Sequence, residues 1–343
     1  MKKTIAYLLL SIALLLYVIN MIGAQSIALT FNLLDMRTIA LVLSIMILYG
    51  LIDCFKWSVL LARIKKIDFF RLVPVYFAGE LFNALTPGAK SGGEILKAHY
   101  TSKIFKIPQS KVYATILIDR SIIMFVFFIL LLFSSVYTVL FLDVPSIVFD
   151  IFRFVVGLAA FLSFVIIIIN RKIGKRRHET LFRLLDFIYH FKPLEMIRKR
   201  FETYKMFEEF VMEIFLEFLE SLKLLAAHRK GVAANVILSS LIFSLVFIKA
   251  KVIFLGLGYD IGLIHIIIVV TLSSAVSYMI FTPGGAGITE IVLISLYVAV
   301  GVDPHVAATV ALIDRGSYYI ISFGLGYIAS VYMKVRGCVP YER

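Results

Sequence analysis

Long apolar runs alternate with short cationic stretches from one end of the chain to the other. Runs of about 20 or more apolar residues are long enough to cross a hydrocarbon core of roughly 30 Å, so the pattern predicts membrane-spanning helices. Spans are expected at 4–23, 38–62, 112–141, 147–170, 232–257 and 304–333. The first is too long for the apolar segment of a cleaved leader and is read as a retained helix. Two further stretches, 69–94 and 264–301, are apolar but broken in the middle by Thr-Pro-Gly. Residues 95–111 carry Lys97, Lys103, Lys106 and Lys111 and look too polar to span. The stretch 69–94 is therefore read as a re-entrant hairpin, which needs shielding by protein or a wet cavity.

The break is written twice. Thr86-Pro87-Gly88 is followed by Gly92-Gly93-Glu94, then Ala114-Thr115 and Ile118-Asp119-Arg120. Thr282-Pro283-Gly284-Gly285 is followed by Gly287 and Glu290, then Ala308-Thr309 and Ile313-Asp314-Arg315. Threonine and glutamate are eight positions apart in both copies. A charge in lipid-soluble sequence costs roughly 2.5–3.5 kcal/mol on insertion scales, so a repeated one implies a purpose. Duplicated units of this kind build transporter sites at a repeat interface.

Cations set the expected orientation. Lys2, Lys3, Arg63, Lys65, Lys66, Lys334 and Arg336 flank the apolar runs, and residues 171–200 hold ten Lys or Arg. The positive-inside rule places all of these, and both termini, in the cytoplasm. An odd number of crossings then separates the two broken stretches, so the first hairpin opens from the cytoplasm and the second from outside. The expected fold is all-α: a polytopic membrane protein, 1–343 as one transmembrane domain, with two inverted repeats at 38–141 and 232–333. Between them, 171–231 is a cytoplasmic basic and amphipathic segment. There, Phe207, Val211, Ile214, Phe218 and Leu222 oppose Glu208, Glu209, Glu213, Glu217 and Glu220.

Composition agrees: 61% of the residues are hydrophobic, against roughly 45–50% in soluble domains. The net charge of +13 is read as positive-inside bias and attraction to anionic lipid, not as a nucleic-acid footprint. Cys54 and Cys338 are far apart, and the six histidines are scattered, so neither a disulfide framework nor a metal site is expected. No nucleophile elbow, P-loop or dinucleotide fingerprint is present, and no cofactor is implied.

The candidate chemistry sits in the repeats. Pro87 and Pro283 end the entering half-helices, and the glycines that follow permit close backbone approaches. A half-helix starting after such a loop presents unpaired N–H groups, which suit a phosphate or carboxylate. Lys90 and Lys97 would reinforce this in the first copy, while Ala286 and Leu293 occupy those positions in the second. Glu94 is expected to pair with Arg120 and Glu290 with Arg315, because a lone buried charge is costly. Lys56 and Lys251 precede their threonines by 30 and 31 positions and are read as counterparts. Each, like Lys249, snorkels to the interface or, for Lys56, lines a cavity.

The string Thr-Pro-Gly-x-x-Gly-Gly-Glu with Lys97, Leu-Ile-Asp-Arg at 117–120 and Thr-Pro-Gly-Gly-x-Gly-x-x-Glu at 282–290 resembles the lysylphosphatidylglycerol synthetase transmembrane-domain family. The resemblance covers nearly the whole chain and implies lipid translocation, of an anionic-head-group or polyprenyl-linked lipid. It implies a substrate site at Pro87, Gly92, Gly93, Glu94, Lys97, Asp119 and Arg120 in the first copy and at Pro283, Gly284, Gly285, Gly287, Glu290 and Arg315 in the second. The reading of the loops and charges themselves adds Gly88, Lys90, Asp314 and Lys56 to the candidate substrate site. Ile95 stands where many relatives carry proline. The chain stops at Arg343 without a soluble aminoacyl-transferase domain, so lysine transfer is not implied. The expectation is a lipid flippase or transporter rather than an enzyme, with membrane lipids as partners. An accessory subunit docking a membrane glycosyltransferase or lipid synthase through 171–231 is the alternative; an intramembrane lipid-phosphate enzyme lacks a recognisable nucleophile.

Overall fold

A computed structural model describes residues 25, 29–30, 32–86, 91–141, 220, 223–224, 227–277 and 286–335. Eight helices account for nearly all of them. They are α1 (Met36–Leu61), α2 (Phe69–Leu85), α3 (Ser91–Phe105) and α4 (Gln109–Phe141), followed by α5 (Arg229–Gly256), α6 (Leu263–Ser277), α7 (Ile288–Ala299) and α8 (Pro304–Val335). The described residues contain no strand. The spans expected at 4–23 and 147–170 and the segment 171–231 lie wholly or almost wholly outside the described residues.

Local chemistry sets the helix ends. Asp68 caps α2, its carboxylate accepting from the N–H of Phe70 at 3.0 Å. Thr86 ends α2 in an extended conformation (ψ 139°), as a residue preceding proline must. Gly287 enters α7 with φ 85°, a conformation that glycine adopts without steric cost. Pro304 opens α8, where its missing N–H is no loss.

The order long, short, short, long occurs twice, and the packing follows it. Helix α1 lies against α5, α2 against α8, and α6 against α4. Exchanging α1–α4 for α5–α8 maps every packed pair of described helices onto another packed pair. The central helices run antiparallel. Thr38 lies beside Gly256, Met46 Sδ is 3.4 Å from Lys249 Nζ, and the Lys56 carbonyl is 3.3 Å from Asn235 Nδ2. Each core borrows from the other half. Phe127 and Leu131 of α4 join the cluster around α5–α8, while Ala329 and Met333 of α8 join the one around α1–α4.

Among the described residues, three helices are long and apolar enough to cross a membrane: α1, residues 109–138 of α4, and α5. Met124, Phe125, Phe128, Ile129, Leu132 and Phe133 lie exposed along α4, the outward apolar surface that lipid requires. The expected span 304–333 is helical in α8, but no stretch of it reaches the same hydropathy. One boundary differs from expectation. The hairpin is expected to end at 94, with 95–111 too polar to span; residues 95–105 instead continue the helix that begins at Ser91. Lys97 is tolerated because two glutamates neutralise it inside the protein.

Glycine makes the α2–α3 crossing. A Cβ on Gly93 would sit 2.0 Å from the carbonyl oxygen of Gly79, and one on Gly79 would meet the Lys97 stem at 2.5 Å. Gly93→Ala is expected to lower stability by about 1–3 kcal/mol, since backbone cannot give way as a side-chain tip can. Gly324→Ala, which meets nothing within 4 Å, should be neutral or slightly stabilising. Thermal unfolding followed by size-exclusion chromatography in detergent compares the two.

Candidate functional site: buried ion pairs in both halves

Charged side chains converge where the halves meet. In the first half, Lys56 on α1 is completely buried. Its ammonium lies 3.1 Å from Asp53 on the same helix and 3.2 Å from Asp119 on α4. Tyr76 on α2 donates to the other oxygen of Asp53 at 2.8 Å. Asn235 reaches across from α5 and donates to Asp119 at 3.0 Å. One helix of the second half therefore completes the charge site of the first.

A second set stands beside it. Lys97 on α3 is 2.7 Å from Glu80 and 3.3 Å from Glu94, and its ammonium sits 4.4 Å above the Tyr76 ring. Arg120 donates to Glu94 at 2.5 Å. The Asn83 amide donates to Glu80 at 3.1 Å, while its oxygen accepts from the Gly93 N–H at 2.8 Å. The carboxylates of Glu80 and Glu94 are thus held by charged and neutral donors together, which is what makes their burial tolerable. Asp53, Trp57, Tyr76, Glu94, Lys97, Ile116, Asp119 and Arg120 line a small polar cleft with room for about one water molecule.

The second half repeats the scheme with fewer parts. Lys249 on α5 is 2.8 Å from Asp314 on α8. Arg315 Nε is 3.5 Å from Glu290 on α7, and its guanidinium packs over the rings of Tyr318 and Tyr319 at 5.0 and 5.4 Å. The second oxygen of Glu290 is buried and finds no hydrogen-bond donor among the described residues.

The two expected pairs, Glu94–Arg120 and Glu290–Arg315, are both present. Lys56 does not snorkel; it is sealed in an ion triad. The lysine corresponding to it is Lys249, not Lys251: each of Lys56 and Lys249 meets the aspartate beside its half's arginine. Lys251 instead pairs with the exposed Asp260 and donates to the Ile261 carbonyl at 2.7 Å, an interfacial arrangement. Gly92 and Gly93 belong to α3 and serve close helix packing, with Gly92 against Thr86. Pro87, Gly88, Lys90, Pro283, Gly284 and Gly285 lie outside the described residues. Sequence reasoning passed over Asp53, Glu80, Asn83, Tyr76 and Asn235. Asp53 and Glu80 carried a usable signal, a carboxylate inside an apolar helix. Tyr76 and Asn235 carried none, because only packing brings them to the charges.

Among the described residues no group of three or more His, Cys, Asp or Glu side chains converges closely enough to hold a metal ion. Helical spans with outward apolar faces and inward charge networks define a polytopic helical membrane protein. Residues 4–326 match the family described as the lysylphosphatidylglycerol synthase TM region, and the chain belongs to that family. It is similar to a UPF0104 membrane protein of Pyrococcus horikoshii, 29% identical over 84% of each chain. A UPF0104 membrane protein of Methanocaldococcus jannaschii is 24% identical over 97% of this chain and 95% of its own. One from Methanothermobacter thermautotrophicus is 26% identical over 78% of this chain and 77% of its own. No solved structure matches.

Removing a buried cation strands its carboxylates. Lys56→Met is expected to cost roughly 3–5 kcal/mol, because Asp53 and Asp119 would then face each other without a counter-charge. Lys251→Met, at a partly exposed pair, should cost no more than about 1 kcal/mol. Chemical denaturation in detergent micelles measures both.

Proposed function

We propose that the chain moves a lipid with an anionic or polyprenyl-linked head group between the leaflets of the cell membrane. Its halves would act as an inverted-topology repeat. The observation that carries the reading is the unequal exposure of two equivalent ion pairs. In the first half the side chains of Arg120 and Glu94 are 28% and 16% exposed, beside a cleft. In the second, those of Arg315 and Glu290 are 18% and 3% exposed. One gate more open than its twin is the asymmetry expected of alternating access caught in one state.

Further support comes from the antiparallel run of α1 and α5. If both cross the bilayer, equivalent parts of the two halves face opposite leaflets. The two broken hairpins, α2–α3 and α6–α7, would then be re-entrant from opposite sides. Positive-inside reasoning puts both termini in the cytoplasm and the first gate on that side.

The chemistry follows from the pairs. Both Arg120 and Lys97 line the cleft, but Lys97 is 2% exposed and held between two glutamates, while the Arg120 side chain is 28% exposed. A lipid phosphate entering the cleft would take over the guanidinium from Glu94. The bidentate fork of arginine suits a phosphate as well as it suits a carboxylate. Acyl or prenyl tails stay in the bilayer throughout. Passage ends with the same exchange at Arg315 and Glu290.

Purified protein in liposomes, with a fluorescent lipid whose outer-leaflet fraction is chemically quenched, tests the proposal. Wild-type protein should speed equilibration between leaflets. Glu94→Gln and Arg315→Ala should each slow it by about 10-fold or more, the effect of losing a buried charge-assisted contact worth at least roughly 1.4 kcal/mol. Unchanged rates in both variants would end the proposal.

A further inference from the structure

Among the described residues, the buried ion pairs of the first half do not balance. Glu80 and Glu94 face Lys97 and Arg120, two anions for two cations. Asp53 and Asp119 share the single ammonium of Lys56. Among the described buried charges the second half is even, with Lys249 on Asp314 and Arg315 on Glu290. The surplus negative charge therefore sits on the two aspartates, which are each 4% exposed around a lysine that is fully buried. An uncompensated charge at that depth is costly, and carboxylates sharing one site resolve the cost by holding a proton.

Geometry adds an independent reason. Asp53 Oδ1 is buried and makes no directed hydrogen bond, although Lys56 Nζ is 3.1 Å away. That oxygen is poorly satisfied as a bare carboxylate. Both aspartates line the cleft, so a proton has a polar route to them. A metal ion fits poorly, because the ammonium already occupies the space between the carboxylates.

We propose that the Asp53–Asp119 pair holds one exchangeable proton, delivered through the cleft from water and bound as a carboxylic acid, and that the second half has no such site. The proton belongs to the pair rather than to either residue. Among the described residues the charged and titratable neighbours come from four helices. Lys56 and the Cys54 thiol come from α1, Tyr76 and Glu80 from α2, Glu94 and Lys97 from α3, and Arg120 from α4, while α5 contributes the neutral Asn235. Tyr49 stands close to Tyr76. The consequence for transport rests on the lipid-moving reading given above. With the proton bound, the buried cluster of Asp53, Asp119, Glu80 and Glu94 with Lys56, Lys97 and Arg120 is neutral, and an anionic head group can approach Arg120. Without it the head group meets a net negative charge. Proton and anionic lipid would then travel in the same direction.

Infrared difference spectroscopy on the full chain in liposomes, between mildly acidic and mildly alkaline buffer, tests the site without relying on transport. Wild-type protein should gain a protonated-carboxyl band in acid. Asp53→Asn and Asp119→Asn should each lose it, since either substitution removes the surplus charge. Tyr76→Phe is the conservative check: it deletes the hydrogen bond that favours ionised Asp53, so the band should persist with its midpoint moved to higher pH. Arg315→Ala, in the other half and not among the neighbours of either aspartate, should keep the band even where lipid movement fails, which separates this inference from the transport proposal. No titrating band in wild type, or a band indifferent to both asparagine variants, overturns it. So does an unmoved midpoint in Tyr76→Phe.

Discussion

A buried ammonium needs a carboxylate, and the packing at the centre of this protein is arranged around that requirement. Lys56 and Lys249 lie on the two helices that cross at the middle of the molecule, and each is met by an aspartate from its own half's long helix. In apolar surroundings an unpaired charge costs several kcal/mol, so these contacts fix how α4 sits on α1 and α8 on α5. Buried pairs are weak sources of net stability. Their strength is in register, because a helix rotated or slid out of place would strand a charge.

Around these contacts the remaining parts fall into order. Close approach of α2 and α3 through Gly79 and Gly93 brings Glu80, Asn83, Glu94 and Lys97 into one network. Asn235 then ties the halves together by capping Asp119 from across the interface. A shift between the halves would therefore be felt directly by the charges. That linkage is what a gated site requires, and it arises from polar contacts inside an otherwise apolar bundle.

Much of this was written in the chain. The apolar runs at 38–62, 112–141 and 232–257 reappear as α1, α4 and α5. The duplicated Thr-Pro-Gly strings marked where α2 ends and where α6 and α7 are interrupted. Glu94 with Arg120, and Glu290 with Arg315, followed from spacing and the cost of a lone charge. Reading Lys251 as the partner in the second half failed. Its spacing fitted, but two positions along a helix turn a side chain to the opposite face, and Lys249 is the one that points inward.

Apolar periodicity and the repeated charged motif are local properties, which is why the sequence alone determined helices, their class and the two glutamate–arginine pairs. Packing decided the rest. The triad of Asp53, Lys56 and Asp119 gathers residues from distant parts of the chain, and Tyr76 and Asn235 join it only after the helices dock. No spacing rule encodes such meetings, because a hydrogen bond between helices depends on their relative position. The difference in charge between the two halves belongs to the same category. It comes from Asp53 having no counterpart where Val246 stands, and it acquires meaning only once the site is assembled.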